Sequence, residues 1–232
     1  CLEDIASPRC FPIEERLERA TDIPVFHTDQ HAAAIEVLAA LMNAGKLVNK
    51  PLSAMRVVIG GAGAAGIGTA RLLLKMGIAD VILCDRAGAI YKYRPTRMNW
   101  VKSEMAQCTN HDGRQGPLET VLAGADAFVG FSAGGVLRGE AIATMAKDPI
   151  VLALALPEPE IRPDVAKRFG AAIAATGRAD LPNGVNTALV IPGVFRGLLD
   201  VAARGVNDAM KIAAAEALAG ALAENELRPD RI

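Results

Sequence analysis

The stretch Val57-Val-Ile-Gly60-Gly61-Ala-Gly63-Ala-Ala-Gly66 carries the reading of the fold. An apolar run of strand type (Val57–Gly60) leads directly into G-x-G-x-x-G. Ile67, Leu72, Leu73 and Met76 then recur at helical spacing and predict a helix over Ala64–Met76. In such a turn the first glycine permits the tight bend, the second lets the backbone approach a pyrophosphate, and the third allows helix to pack closely on strand. The helix N-terminus contributes free N–H groups and the positive end of its dipole. Gly61, Ala62, Gly63, Ala64, Ala65 and Gly66 are therefore the expected phosphate cradle of a dinucleotide.

The glycine pattern alone is weak, because Gly- and Ala-rich turns are common. Its context strengthens it: a second strand, Val81–Cys84, ends at Asp85, 19 residues past Gly66. A carboxylate there can accept bonds from the adenosine ribose hydroxyls. Asp85 repels a 2′-phosphate and favours NAD, whereas the neighbouring Arg86 can pair with one and permits NADP. Outward from this unit the alternation continues. Ala127–Phe131, Ile150–Leu156 and Ala171–Ala175 read as strands. Trp100–Gln107, Leu118–Leu122, Glu140–Met145 and Pro163–Phe169 read as the helices between them. Continuous apolar strands separated by helices describe an α/β fold, a Rossmann-type, doubly wound parallel sheet covered on both faces. Helices are also expected over Ala32–Val48, Val194–Ala203 and Asn207–Ala223. The domain reading is a segment over residues 1–50, a dinucleotide-binding domain over 51–204, and a C-terminal helix and tail over 205–232.

Composition excludes other classes. The 232 residues are 51% hydrophobic and 22% charged, with 25 Lys+Arg against 26 Asp+Glu, which is not the composition of a disordered chain. Net charge of -1 with no basic stripe argues against a nucleic-acid partner. No apolar run approaches the ~20 residues a membrane span requires. The four cysteines, Cys1, Cys10, Cys84 and Cys108, form no C-x-x-C pair, and a reducing, cytoplasmic setting fits them. The sequence opens on Cys1 without Met, so a fragment or processed form is expected.

Other loops follow the carboxyl ends of strands, where open α/β sheets bind ligands. Ser132-Ala-Gly-Gly135 can border the nicotinamide half, and Pro157-Glu-Pro-Glu160 and Asn183–Asn186 lie after later strands. Each also has a plain reading as a turn. Near the start, Glu3, Asp4 and Asp29 supply hard oxygen ligands suited to Mg²⁺ or Mn²⁺. Alternatively Glu3-Asp4 is a solvated terminus and Asp29 a helix N-cap. His27 and His31 have the i, i+4 spacing of a zinc-protease helix, but Thr28 stands where that motif needs Glu. There is no G-x-S-x-G turn for a serine hydrolase.

Several stretches together resemble the malic enzymes, in particular the bacterial short form. They are Leu2-Glu-Asp-Ile5, Cys10-Phe-Pro-Ile-Glu-Glu-Arg16, Ile23-Pro-Val-Phe-His27, Gly61–Gly66, Cys84-Asp-Arg86, Ala175-Thr-Gly-Arg178 and Ile191-Pro-Gly-Val-Phe-Arg-Gly197. The resemblance implies oxidative decarboxylation of malate to pyruvate and CO₂ with NAD or NADP and Mg²⁺ or Mn²⁺, a homo-oligomer, and a metal held by Glu3, Asp4 and Asp29. It places the family's general base and acid, a Lys and a Tyr, upstream of Cys1, so this chain alone is expected to be inactive. The chain departs from the family pattern at ligand-facing loops. Thr28 replaces an Asp, Ala32-Ala33 replace Gly-Thr, Gly134 replaces a Pro, Leu156 replaces an Asn, and Thr187 replaces the second of two Asn, leaving Asn186. These changes leave two alternatives to the malic reading: a nucleotide-binding module without turnover, and a dehydrogenase of a related 2-hydroxy acid.

Overall fold

A computed structural model describes residues 1–232. The helices and strands, in chain order, are α1 (Cys10–Ala20), α2 (Thr28–Leu47), β1 (Arg56–Gly60), α3 (Ala64–Lys75), β2 (Asp80–Asp85) and β3 (Gly88–Ala89). They continue as α4 (Trp100–Cys108), α5 (Leu118–Val121), β4 (Ala127–Gly130), α6 (Gly139–Ile142), β5 (Ile150–Ala153) and α7 (Pro163–Arg168). The chain closes with β6 (Ile173–Thr176), α8 (Ile191–Asp200) and α9 (Asp208–Ala219).

The six strands lie in the order β3-β2-β1-β4-β5-β6. The chain moves outward from β1 through β2 to β3, then crosses back to β4 on the other side of β1. The reversal between β1 and β4 is where a doubly wound sheet opens a crevice at its strand ends. Five strands are parallel, as expected, and β3 is not. It is a two-residue antiparallel strand, pairing Cys84 with Ala89 and Asp85 with Gly88. Gly88 makes the return possible: its φ is +95°, and a Cβ there would meet Gly116 O at 2.2 Å.

The alternation of side chains along the strands explains why they are apolar throughout. Val57, Ile59, Val81 and Leu83 point into one core, shared with α2, α3 and α9. Val58, Ile82, Cys84 and Phe128 point into the other, shared with α5, α6 and α7. Each fully buried Val, Leu or Ile contributes ~1.5–3 kcal/mol of transfer free energy, and both faces of the sheet receive it. α2 and α9 thus flank the same sheet as the residues between them.

Several expected boundaries shift. The sequence does not predict α1, because only Cys10, Phe11 and Glu14 of its residues are buried and five of its eleven residues are charged. α2 begins at Thr28, so Asp29 lies inside the first turn and is not its N-cap. β5 ends at Ala153, and Leu154–Leu156 leave the sheet as its exit loop. α6 stops at Ile142. No helix is long and apolar enough to cross a membrane.

Candidate functional site: the carboxyl ends of the strands

The phosphate turn has the geometry its sequence demands. Gly61 has φ +124°, and a Cβ on it would lie 2.4 Å from Phe131 O. A Cβ on Gly66 would lie 1.8 Å from Gly61 O, so helix and turn can touch only through glycine. Gly63 differs: a Cβ there would meet nothing within 4 Å. The backbone at Gly63 faces open space, as a ligand-approach position must. The first helical bond runs from Ile67 N–H to Gly63 O at 3.0 Å, leaving the N–H groups of Ala64, Ala65 and Gly66 without protein acceptors. Gly63 supplies no side-chain cap. An anion with several oxygens suits this end of α3.

At the end of β2, Asp85 is engaged more fully than its sequence position suggests. Oδ1 accepts from Arg94 Nη1 at 2.9 Å and from Ala87 N at 2.8 Å. Oδ2 accepts from Arg94 Nη2 at 2.5 Å and Lys102 Nζ at 2.6 Å. A carboxylate offers about four lone-pair sites, and all four are filled. Burial works to raise the Asp85 carboxyl, but the bonds from Arg94, Lys102 and Ala87 outweigh it and hold the group well below the usual carboxylate range. A ribose hydroxyl reaches Asp85 only by displacing a donor. Lys102, on a flexible stem, is the one able to yield; the Arg94 side chain is only 3% exposed. Arg86 is exposed and has no protein partner. Arg94 and Lys102 carried no signal in the sequence, since they lie 9 and 17 residues from Asp85 across an irregular loop.

The loops after β4 and β5 are joined by Glu160, whose role was also not foreseen. Its carboxylate is fully buried and accepts from Ser132 N at 2.7 Å, Ser132 Oγ at 3.0 Å and Ala155 N at 3.1 Å. The Ser132 hydroxyl is therefore committed to shaping the loop. Leu156 is 60% exposed at the same mouth. Asn186 caps the turn that follows it: Oδ1 accepts from Ala188 N at 3.0 Å and Nδ2 donates to Gly177 O at 3.2 Å. Thr187 is half-buried.

The acidic front end is brought to α2 by a parallel bridge between Leu2 and His27. Thr28 holds that bridge, its N–H and Oγ1 both donating to Leu2 O at 3.0 and 3.1 Å. Asp4 N donates to Asp29 Oδ2 at 3.1 Å, so these two residues are neighbours. The Glu3 and Asp4 carboxylates are exposed. No three His, Cys, Asp or Glu side chains converge as a closed metal cluster. The donor chemistry nevertheless suits a hard divalent cation, since Glu3, Asp4 and Asp29 all offer carboxylate oxygens on neighbouring segments. His27 and His31 belong to a different network. Glu14 on α1 accepts from His27 N at 2.9 Å and Gln30 Nε2 at 2.7 Å, and lies 2.8 Å from His31 Nε2. Gln30 Nε2 also lies 2.9 Å from His27 Nδ1, and His27 Nε2 lies 3.1 Å from Asp29 Oδ2.

A cavity of about 790 Å³ lies elsewhere, lined by residues of α1, α2, α3, α4 and α9. None of the phosphate-turn residues line it. Its Arg71 is already paired with Glu104 at 2.8 Å and stacked over Phe11.

A family model described as "Malic enzyme, NAD binding domain" matches residues 30–232. This chain belongs to the malic enzyme family. It is 52% identical over 231 residues to the bifunctional malic/malolactic enzyme of Bacillus subtilis, covering all of this chain and 56% of that protein. It is 48% identical over 232 residues to the NADP-dependent malic enzyme of Rhizobium meliloti, covering 99% of this chain and 30% of the relative. Among solved structures, the NAD-dependent malic enzyme of Thermotoga maritima matches with TM-score 0.94 and 42% identity, over all of this chain and 60% of the other. The chain thus spans between about a third and a little over half the length of these relatives. Residues 30–232, which hold the six-stranded sheet, are a malic enzyme NAD-binding domain.

Proposed function

We propose that this chain is the cofactor- and metal-binding part of an enzyme that oxidatively decarboxylates malate to pyruvate and CO₂. Family membership supports the reaction class, and the observation that carries the reading is the adjacency of Asp4 and Asp29 in a fold whose phosphate turn is open for a dinucleotide. The free N–H groups of Ala64, Ala65 and Gly66 hold the pyrophosphate. Glu160 fixes the Ser132 loop beside the nicotinamide half. Glu3, Asp4 and Asp29 hold Mg²⁺ or Mn²⁺, which supplies Lewis-acid polarisation of the substrate oxygen when bound. Asn186, fixed by its own turn, lines the substrate side with Thr187 and Leu156.

The saturated Asp85 supports use of both cofactors. Its charge is balanced by Arg94 and Lys102, and Arg86 stands unpaired beside it, so a 2′-phosphate meets no free carboxylate. The protein is proposed to act as a homo-oligomer in the cytoplasm; exposed Leu189, Leu199 and Val201 at and beside α8 are apolar surface for a second copy to cover.

A second reading, oxidation of a related 2-hydroxy acid, rests on Leu156, whose exposed apolar side chain offers no hydrogen bond to a carboxylate substrate. The test is turnover by the full-length product with malate, Mn²⁺ and each cofactor, beside residues 1–232 alone. Equimolar pyruvate and reduced cofactor from the full-length protein only is the expected result. Turnover of another hydroxy acid but not malate favours the second reading.

A further inference from the structure

A second cavity, about 210 Å³, lies between α2, the end of α9 and the segment around Val185–Leu189, remote from the phosphate turn in its lining. Its walls are mostly apolar, including Val185, Leu189, Leu218 and Leu222. Two polar side chains from one face of α2 interrupt them, Glu36 and Asn43, at i and i+7. Both are nine-tenths or more buried, Glu36 5% and Asn43 3% exposed. Glu36 Oε2 and Asn43 Oδ1 are buried with no hydrogen-bond partner. Asn43 Nδ2 donates to Ala219 O at 2.9 Å, which fixes its amide with the acceptor oxygen unused. Glu36 is the only ionisable side chain in the lining, and Lys46, the only Lys or Arg of α2, is paired with Glu224 at 3.3 Å. Such orphaned acceptors are costly unless something donates to them.

We propose that this cavity binds a small alkylammonium ion, with its charged head on the Glu36 carboxylate and its carbon chain against the apolar walls. The orphaned carboxylate oxygen of Glu36 selects a cation over an anion. The apolar walls select a carbon chain over a bare metal ion, which would need several more oxygens. The size fits: an engineered cavity of about 150 Å³ takes benzene, so this one accommodates an amine of about five carbons. Nothing in the proposal depends on the malate reaction.

The probe is n-pentylammonium, titrated calorimetrically into the full chain, with 1-pentanol as the uncharged control of equal length. The ammonium ion is expected to bind once per chain and at least tenfold more tightly than the alcohol. Burial pushes the Glu36 carboxyl up to about 8. Affinity should therefore rise about tenfold per pH unit up to about 8 and level off until the amine itself deprotonates near ~10. Glu36→Gln keeps the size and loses the preference for the charged ligand. Glu36→Val, which removes a buried orphan and should fold at least as well, loses it too. The amide of Asn186, bracketed by Val185 and Leu189, should shift on binding. No binding, equal binding of amine and alcohol, a flat pH profile, or full affinity in either variant would overturn the proposal.

Discussion

Arg94 grips Asp85 at two points, Nη1 to Oδ1 at 2.9 Å and Nη2 to Oδ2 at 2.5 Å, with its side chain almost wholly out of water. The pair joins the end of β2 to the loop that leads into α4, and Lys102 completes it. The residue expected to read the ribose is therefore also a structural anchor. Asp85→Asn leaves the buried Arg94 charge without its counter-ion and should cost about 3–5 kcal/mol in chemical denaturation. Because the Asp85 carboxyl is held low, its contribution is intact at neutral pH and is lost as pH falls below the ordinary carboxylate range. A variant of unchanged stability at pH 7 would remove the anchor role.

Lys102 is the donor that can leave. Lys102→Ala frees one lone pair on Asp85 Oδ2 for a ribose hydroxyl and removes a cation from the 2′ position. Binding of NADP⁺ should weaken about tenfold relative to NAD⁺, a difference of ~1.4 kcal/mol. Fluorescence titration with both cofactors decides it, and an unchanged ratio would show that Lys102 does not face the adenosine ribose.

The glycines of the turn divide into two kinds. Gly66→Ala places a methyl 1.8 Å from Gly61 O, so the helix must move and thermal stability should fall. Gly63→Ala meets nothing within 4 Å and should leave the melting temperature unchanged while weakening dinucleotide binding at least tenfold. Equal loss of stability in both variants would contradict this division.

Much of this was legible in the sequence. The strand, turn, helix and second strand around Gly61–Gly66 are local, each with its own periodicity, and the structure repeats them within a residue or two. The partners of Asp85 were not legible, because Arg94 and Lys102 reach it through an irregular loop that no periodicity describes. Glu160 was hidden for the same reason: within Pro157-Glu-Pro-Glu160 nothing distinguishes the exposed Glu158 from the buried Glu160 that ties Ser132 to Ala155. α1 escaped notice because one short buried edge, Cys10, Phe11 and Glu14, leaves no full apolar stripe.

Glu36 gives a pH dependence of opposite sign to Asp85. Its carboxyl ionises near 4.5 when free and at about 8 in the fold, so stability declines as pH rises between those values and flattens above. Glu36→Val should abolish that decline and stabilise the chain at pH 8 by up to ~4 kcal/mol. Urea denaturation across pH 5 to 9 reads it directly, and parallel wild-type and variant curves would contradict it.

At the acidic front end, Asp29→Asn should weaken Mn²⁺ binding, followed by electron paramagnetic resonance of the free ion, by about 10–100-fold. Unchanged affinity takes Asp29 out of the ligand set.

The most direct measurement of the central claim is an amide titration of the isotopically labelled chain with NAD⁺. The N–H groups of Ala64, Ala65 and Gly66, which have no protein acceptor, should show the largest shifts and saturate at one equivalent. Binding that leaves these three amides unmoved while others shift would contradict the account.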